Sequence, residues 1–184
     1  MLRDHRSRRA DGDRPYILNV TAATLHDRGF MGDLVAFLAE NRAMAQRLIF
    51  ELPQAELESM DPASIQILDG LSRLGCRFSM DRIRNRTINI NALKNRHIRY
   101  IKLDAAWLIR NANAQNGGQR ISRLKRKLDI AGIDLIVERM ETERDVRELL
   151  DFNIDYGQGY LFGKPDHYAT YRDRELTKNM RKSA

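Results

Sequence analysis

Short apolar runs, each ending at a polar side chain, alternate with helix-like segments along this chain of 184 residues. The runs are YILN at 16–19, LIFE at 48–51, FSMD at 78–81, YIKLD at 100–104, LIVE at 135–138 and YGQ at 156–158. In the intervening segments the apolar residues recur at the three- and four-residue spacing of a helix. Leu34, Phe37 and Leu38 are one example. Six strand-helix units in alternation favour an α/β fold with a parallel sheet.

Punctuating residues set the expected bounds of these elements. Residues 1–14 are polar and are expected to be the remnant of a preceding helix and loop, and a single domain is predicted over 15–184. A helical region is predicted to begin at Thr21, and QNGGQR at 115–120 is predicted to be a linker. Helices are also predicted over 62–75, 90–95, 105–113, 121–132 and 141–152, with a terminal helix after Pro165.

Composition places the chain among globular proteins, with 42% hydrophobic and 31% charged residues. The 32 basic and 25 acidic residues give a formal net charge of +7, concentrated near both ends and in 120–127. Solvated surfaces explain these basic clusters better than nucleic-acid binding, since no aromatic residues are interleaved with them. The single cysteine, Cys76, is expected to be a buried small hydrophobe, and it fits a reducing, cytoplasmic location. No apolar stretch is long enough to predict a membrane span.

The polar residues that end the strands are the candidates for chemistry. They comprise Asn19, Glu51, Asp81, Asp104, Glu138 and the nearby Glu141. The carboxyl ends of parallel strands meet at one edge of the sheet, where carboxylate and amide oxygens suit Mg²⁺ or Mn²⁺. The four histidines fall outside the strand ends, which argues against a zinc site. Lys102 and Asp104 face the same way in their strand, either to position a phosphate or water, or as part of a structural lysine–carboxylate pair.

Five of these segments, in this order, resemble the motifs of EAL domains, which are cyclic di-GMP phosphodiesterases and receptors with a TIM-barrel-like fold. The segments are FELPQ, FSMDRIRN, YIKLD, VERMET and YGQGYLFGKP. The resemblance covers the chain from about Pro15 to Pro165. It implies a TIM-barrel-like (β/α) fold that is incomplete, with about six of the β/α units present.

The resemblance also implies roles for individual residues. Lys102 and Glu138 match residues that position and activate water in active members, and Gln158 matches the glutamine of the QGY loop. Pro165, which ends that motif, and the basic Arg82 complete the predicted ligand-binding set. The positions that match metal ligands, for Mg²⁺ or Mn²⁺, are Asn19, Glu51, Asp81, Asp104 and Glu141.

Several positions depart from the family pattern. The signature Glu-Ala-Leu strand and the first two strand-helix units are absent from this chain. Arg82 stands where the family has a second aspartate, Arg139 replaces a glycine, and Gln54 replaces an acid that braces the loop after Asp81. A cation in place of a ligand repels Mg²⁺ by several kcal/mol at about 4 Å and intermediate dielectric. We therefore expect one weak metal site or no metal at all. The arginines at 82, 84 and 86 either hold phosphates or form an exposed basic loop.

Three functions remain open from the sequence. The favoured prediction is a degenerate, non-hydrolytic EAL domain in bacterial signalling that acts as a cyclic di-GMP receptor or as a protein-interaction module. The alternative is an active cyclic di-GMP phosphodiesterase using Mg²⁺ or Mn²⁺, and the weakest is a basic nucleic-acid-binding protein. An incomplete barrel exposes strand edges. The chain is thus expected either to be a fragment of a longer protein or to pair with a protein partner or a second copy.

Overall fold

The computed structural model describes residues 15–84 and 88–164, which form a curled sheet of six parallel strands. The strands are β1 (Tyr16–Asn19), β2 (Leu48–Pro53), β3 (Arg77–Asp81), β4 (Ile98–Asp104), β5 (Asp134–Glu138) and β6 (Tyr156–Gly157). They lie side by side in chain order, and every neighbouring pair is parallel. The predicted α/β class and incomplete barrel are confirmed as a half-barrel.

Helices connect successive strands. They are α1 (Ala22–His26), α2 (Arg28–Glu40), α3 (Arg42–Ala45), α4 (Gln54–Glu58), α5 (Pro62–Arg73), α6 (Ile90–Asn95), α7 (Ala105–Ala112), α8 (Gly117–Ala131) and α9 (Glu143–Leu149). Short 3-10 turns follow at Leu150–Phe152 and Tyr160–Phe162. No helix among the described residues has the length and apolar character needed to cross a membrane.

The period of two along each strand divides the core into two layers. Residues such as Phe50, Phe78 and Leu135 belong to the large cluster that includes the buried helix residues Leu38 and Leu128. The alternate positions, Ile49, Tyr100 and Ile136, form a separate small cluster on the opposite, concave face. Glu51, Lys102 and Glu138 lie two residues further along the same strands, so they continue this concave face toward the carboxyl ends.

One local prediction is confirmed and another was wrong. The helical region begins at Thr21 as expected, with Thr21 accepting a hydrogen bond from the Thr24 amide, and it consists of three helices. Asp27 ends α1 and caps α2, and Asn41 separates α2 from α3. Gly117 and Gly118, taken as linker, open α8.

The error at Gly117 has a steric cause. A Cβ on Gly117 would lie 1.7 Å from the carbonyl oxygen of Asn111, so this glycine permits close packing against α7 rather than flexibility. The predicted terminal helix after Pro165 lies outside the described residues.

Candidate functional site

The strand register gathers the predicted polar residues at the carboxyl end of the half-barrel. Asn19 pairs in register with Glu51, and Asp104 pairs with Glu138. Asp81 lies opposite Pro53, two residues beyond Glu51. Adjacent parallel strands lie about 4.8 Å apart, so functional groups on neighbouring strand ends fall within direct electrostatic reach.

A buried ion pair lies deepest in this site. The Lys102 Nζ is 2.5 Å from Glu51 Oε2, and the two side chains are only 4% and 6% exposed. The pair bridges β2 and β4 across β3 on the concave face. Removing two charges from water is costly unless they compensate each other, and each of these groups neutralises the other.

A second ion pair lies at the surface of the same rim. Arg139 Nε is 2.9 Å from Asp104 Oδ2, and Arg139 Nη2 is 3.8 Å from Glu138 Oε1. The Arg139 side chain is 69% exposed, in contrast to the buried Lys102. The other oxygen of Asp104 accepts a hydrogen bond of 2.7 Å from the Trp107 amide and caps α7. Asp104 is therefore held by its helix on one side and by a guanidinium on the other.

The backbone holds Arg139 in place from both sides. Gln158 donates its amide to the Val137 carbonyl at 2.8 Å, and Met140 donates its amide to the Gln158 carbonyl at 3.0 Å. Between these bonds Arg139 has a φ of +57°, in the left-handed region that glycine prefers.

The loop after β6, which makes this contact with the Arg139 turn, requires a glycine at position 159. A Cβ on Gly159 would lie 2.1 Å from the Met140 carbonyl oxygen, so only glycine lets the loop after β6 approach so closely. This loop contact fixes the turn that presents the Arg139 guanidinium.

A pocket of about 470 Å³ opens at this end of the sheet. Four cationic side chains line it, together with Asp104, Glu138 and the indole of Trp107. The cations are Lys102 from β4, Arg110 from α7, Arg82 after β3 and Arg139 after β5. The pocket is thus predominantly basic despite the two carboxylates. Apolar walls come from Ile83, Ile88, Leu103 and Leu124.

The loop after β3 is tethered to the neighbouring unit. The buried Gln54 accepts a hydrogen bond of 2.8 Å from the Arg84 amide and donates one of 2.9 Å to Glu58. Asp81 accepts a bond of 2.5 Å from the amide of Arg82, whose φ is +48°. Gln54 therefore fixes the loop that carries Arg82, although it lacks the charge of the acid in the family pattern. Residues 85–87, which include Arg86, lie outside the described part of the chain.

Glu138 has an unusual protonation environment. Burial raises the pKa of its carboxyl above the ordinary value for a glutamate, and the negative charges of Asp81 and Glu51 act in the same direction. The positive charges of Lys102 and Arg139 oppose the rise without cancelling it. These couplings show that carboxylates from three strands act on one another at the rim.

The remaining predicted site residues are not among those that line the pocket. Asn19 is exposed on β1 and lines a different, apolar groove. Glu141 is exposed, and its amide donates to Asp145 at the start of α9. The Gln158 side chain is exposed, while its backbone makes the contacts that fix the Arg139 turn. Pro165 lies outside the described residues.

The geometry also adds residues that sequence reasoning missed. Trp107 and Arg110 lie three positions apart on α7 and share the helix face that borders the pocket. The sequence contained a signal for these two residues. Asp104 ends a strand and is followed directly by a helix, so the first turns of that helix lie next to the carboxyl end of the strand. Arg139 was noted only as a departure from glycine, and its contact with Asp104 depends on the loop after β6.

The donor set does not fit a divalent cation as it stands. Within 15–84 and 88–164, no three His, Cys, Asp or Glu side chains converge closely enough to hold a metal ion. Two of the carboxylates form ion pairs with protein side chains instead. Glu51 pairs with Lys102, and Asp104 pairs with Arg139. The metal roles of Asn19, Glu51, Asp81, Asp104 and Glu141 stay predictions.

The fold and the rim define a parallel β/α half-barrel with charged residues at the carboxyl ends of its strands. The model of the EAL domain family matches residues 1–165, so the chain belongs to this family. The sequence prediction of the family is confirmed. The chain is accordingly an EAL domain related to cyclic di-GMP phosphodiesterases.

Relatives with curated descriptions and solved structures agree with this assignment. The chain is 26% identical over 156 residues to the cyclic di-GMP phosphodiesterase RocR of Pseudomonas aeruginosa. That match covers 83% of this chain and 40% of the relative, so the chain spans less than half of that protein.

Solved structures share the fold. The PaMucR phosphodiesterase in complex with c-di-GMP has a TM-score of 0.72 and 20% identity, over 88% of this chain and 65% of that one. The manganese and cyclic di-GMP complex of Klebsiella pneumoniae BlrP1 has a TM-score of 0.69 and 21% identity, over 84% of this chain and 40% of that one. At these identities the similarity concerns the fold.

Proposed function

We propose that this EAL domain is a non-hydrolytic receptor that binds cyclic di-GMP without a metal ion. The observation that supports the proposal most strongly is the position of Arg139, whose guanidinium contacts Asp104 at 2.9 Å and faces Glu138 at 3.8 Å. A guanidinium here neutralises two carboxylates that would otherwise attract a cation. It also offers further N–H donors to a phosphate.

The chemistry of the pocket suits a dinucleotide with two phosphates. Arg82, Arg110 and Arg139 line it from three separate elements, so cations surround the space rather than lying on one wall. Arginine binds phosphate through a planar fork of donors. Trp107 supplies an aromatic surface of the kind on which nucleobases stack. The complexes of PaMucR and BlrP1 with cyclic di-GMP identify this ligand as the first candidate.

The same geometry argues against hydrolysis. Two-metal phosphodiester cleavage needs one cation to activate water and another to stabilise the developing charge. Lys102, predicted to help position water, is sealed against Glu51 with 4% of its side chain exposed. Arg82 follows Asp81 where the family pattern has a second acid, so a positive side chain replaces a metal ligand.

An active phosphodiesterase is the second candidate, supported by the names of relatives such as RocR and by the retained Glu51, Lys102 and Glu138. It requires metal ions to displace Arg139 from Asp104. The two candidates therefore differ in turnover and in metal dependence.

Calorimetric titration of cyclic di-GMP into wild-type protein and into Arg139→Met tests the receptor. Loss of a charge-assisted hydrogen bond of about 2 kcal/mol predicts roughly a thirtyfold weaker affinity for the variant. Arg144→Met is the matched control, because Arg144 is 80% exposed and contacts Glu148 on α9. It should bind as wild type does.

The same samples are then incubated with cyclic di-GMP and Mg²⁺ or Mn²⁺. The proposal expects no linear product at high protein concentration, and sustained turnover would establish the phosphodiesterase instead. A folded wild type that binds no cyclic di-GMP would contradict both, and would leave the protein-interaction module predicted from the sequence.

A further inference from the structure

The outer edge of β1 is an exposed apolar feature that lies outside the pocket lined by Arg82 and Arg139. Six of the nine exposed large hydrophobic side chains in the described part of the chain lie between residues 16 and 44. They are Tyr16, Ile17, Leu18, Phe30, Phe37 and Met44. All four residues of β1 are exposed. Such a strand lacks the charges, bulges and prolines that usually protect a sheet edge.

The hydrogen-bond phase of β1 shows which groups face outward. Tyr16 donates its amide to the Arg47 carbonyl at 2.8 Å, and Val20 donates to the Glu51 carbonyl at 2.9 Å. The positions bonded to β2 therefore have even numbers. Since strand groups alternate, Ile17 and Asn19 direct their N–H and C=O groups away from β2. Among the described residues, no strand lies on that side.

We propose that this edge pairs with the same edge of a second copy, forming an antiparallel β1–β1 junction with a two-fold axis at Leu18. In that register Ile17 lies opposite the partner's Asn19, and each such pair exchanges two main-chain hydrogen bonds. The junction would contain four. A two-fold axis at Ile17 would instead bring Asn19 opposite Pro15, which has no N–H to donate.

The sequence of β1 suits self-pairing. Tyr16, Ile17, Leu18 and Asn19 carry no charge, so two copies can meet despite a net charge of +7 per chain. Arg47 lies over the Tyr16 ring at 4.7 Å and donates to its hydroxyl at 3.1 Å. Its charge is thus held against the strand rather than projecting across the edge.

A neighbouring apolar groove would be covered by the same contact. Leu18 and Phe30 line this groove of about 250 Å³, together with Phe50 and Phe78 from the next strands. With the axis at Leu18, the two copies of this residue lie side by side at the mouth of the groove. Phe30 and Phe37, seven positions apart on one face of α2, extend the apolar surface.

Other occupants match the edge less well. The opposite edge of the sheet is β6, whose two residues are too short to form a head-to-tail ladder with β1. Residues 1–14 carry five arginines and only two large apolar side chains, Met1 and Leu2. That segment lacks the continuous apolar run that is typical of a strand buried on both faces.

Sedimentation equilibrium of the 184-residue chain over a range of concentrations tests the junction. The expected mass rises from 21.4 kDa toward twice that value. Ile17→Pro removes only an N–H that faces the open edge and should keep the protein monomeric without altering its fold. Ile17→Lys should do the same by placing charges near the axis. Ile130→Lys is the matched control, since Ile130 on α8 is 80% exposed and far along the chain from β1.

A wild type that stays at 21.4 kDa throughout the range would overturn the junction. So would dimerisation of both Ile17 variants, loss of the dimer in Ile130→Lys, or growth beyond two copies. Amide hydrogen exchange supplies a local readout that does not depend on any variant. The amides of Ile17 and Asn19 should become protected as the concentration rises, and unchanged fast exchange at both would contradict the proposal.

Discussion

Two cation–carboxylate pairs lie at the same rim and differ in how far they are buried. Lys102 and Glu51 are 4% and 6% exposed, and each charge is compensated by the other. Arg139, 69% exposed, contacts Asp104 and lines the pocket. The chemistry of the two pairs is alike, yet burial commits the first to the fold and leaves the second available for a ligand.

Energetics separate the two pairs in the same way. Breaking a buried pair leaves an uncompensated charge in the interior, whereas an exposed pair contributes about 0–1 kcal/mol. The lysine that resembles a catalytic residue is therefore expected to act mainly on stability. The arginine that resembles a defect is expected to act mainly on binding.

The largest expected effect comes from Lys102→Met. It leaves Glu51 buried without a partner, and the free energy of unfolding should fall by about 3–5 kcal/mol. Chemical denaturation measures this directly. The double variant Lys102→Met, Glu51→Leu removes both charges and should recover most of the loss. A single variant as stable as wild type would show that the buried pair does not support the fold.

Arg139→Gly should convert the second pair into a site that admits a divalent cation. It exposes Asp104 and Glu138 while removing a positive charge, so Mn²⁺ affinity should rise about tenfold or more. Calorimetry with Mn²⁺ alone measures the change, with Arg144→Gly as the control on α9. Equal Mn²⁺ binding by wild type and Arg139→Gly would break the comparison, because the guanidinium would then not compete with a cation.

Glu138→Gln should alter the dependence of stability on pH. The pKa of Glu138 is raised by burial and by Asp81, so its contribution to stability is fully present below pH 4.5 and is lost as the pH rises through the higher folded-state value. The variant cannot ionise and avoids this loss. Its stability relative to wild type should therefore increase from pH 4 toward pH 7. Denaturation curves with the opposite trend would contradict this electrostatic account of the rim.

The smallest expected effect separates the backbone of Arg139 from its charge. Its φ of +57° suits glycine, so Arg139→Gly should be more stable than Arg139→Met by about 0.5–1 kcal/mol. Both variants lose the same ion pair, and their difference in thermal unfolding isolates the backbone term. Equal stabilities would indicate that the contacts of Met140 and Gly159 do not hold the turn in this conformation.

Periodicity made the strands and most helices predictable. The runs that contain Glu51, Asp81 and Glu138 are strands whose carboxyl ends lie at one edge of the sheet, as parallel pairing requires. Local signals failed where packing decided the outcome. Gly117 looked like part of a linker, but its lack of a side chain serves the contact with Asn111.

The sequence predicted most of the charged residues at the candidate site, but not the ion pairs that they form with one another. Lys102 and Asp104 are two residues apart on one strand and were predicted to face the same way, but that spacing did not indicate that they contact different partners, Glu51 and Arg139. The turn that carries Arg139 is bonded to the loop after β6, a contact between segments far apart in sequence. Long-range contacts of this kind leave no local pattern.

Metal independence of ligand binding tests the central claim most directly. Cyclic di-GMP is titrated into the wild-type protein in excess EDTA and, separately, in millimolar Mg²⁺. The account predicts the same dissociation constant in both buffers, with intact cyclic di-GMP recovered at the end. Binding that requires Mg²⁺, or recovery of linear product, would contradict the proposal that the Arg139 guanidinium takes the place of a metal ion in this site.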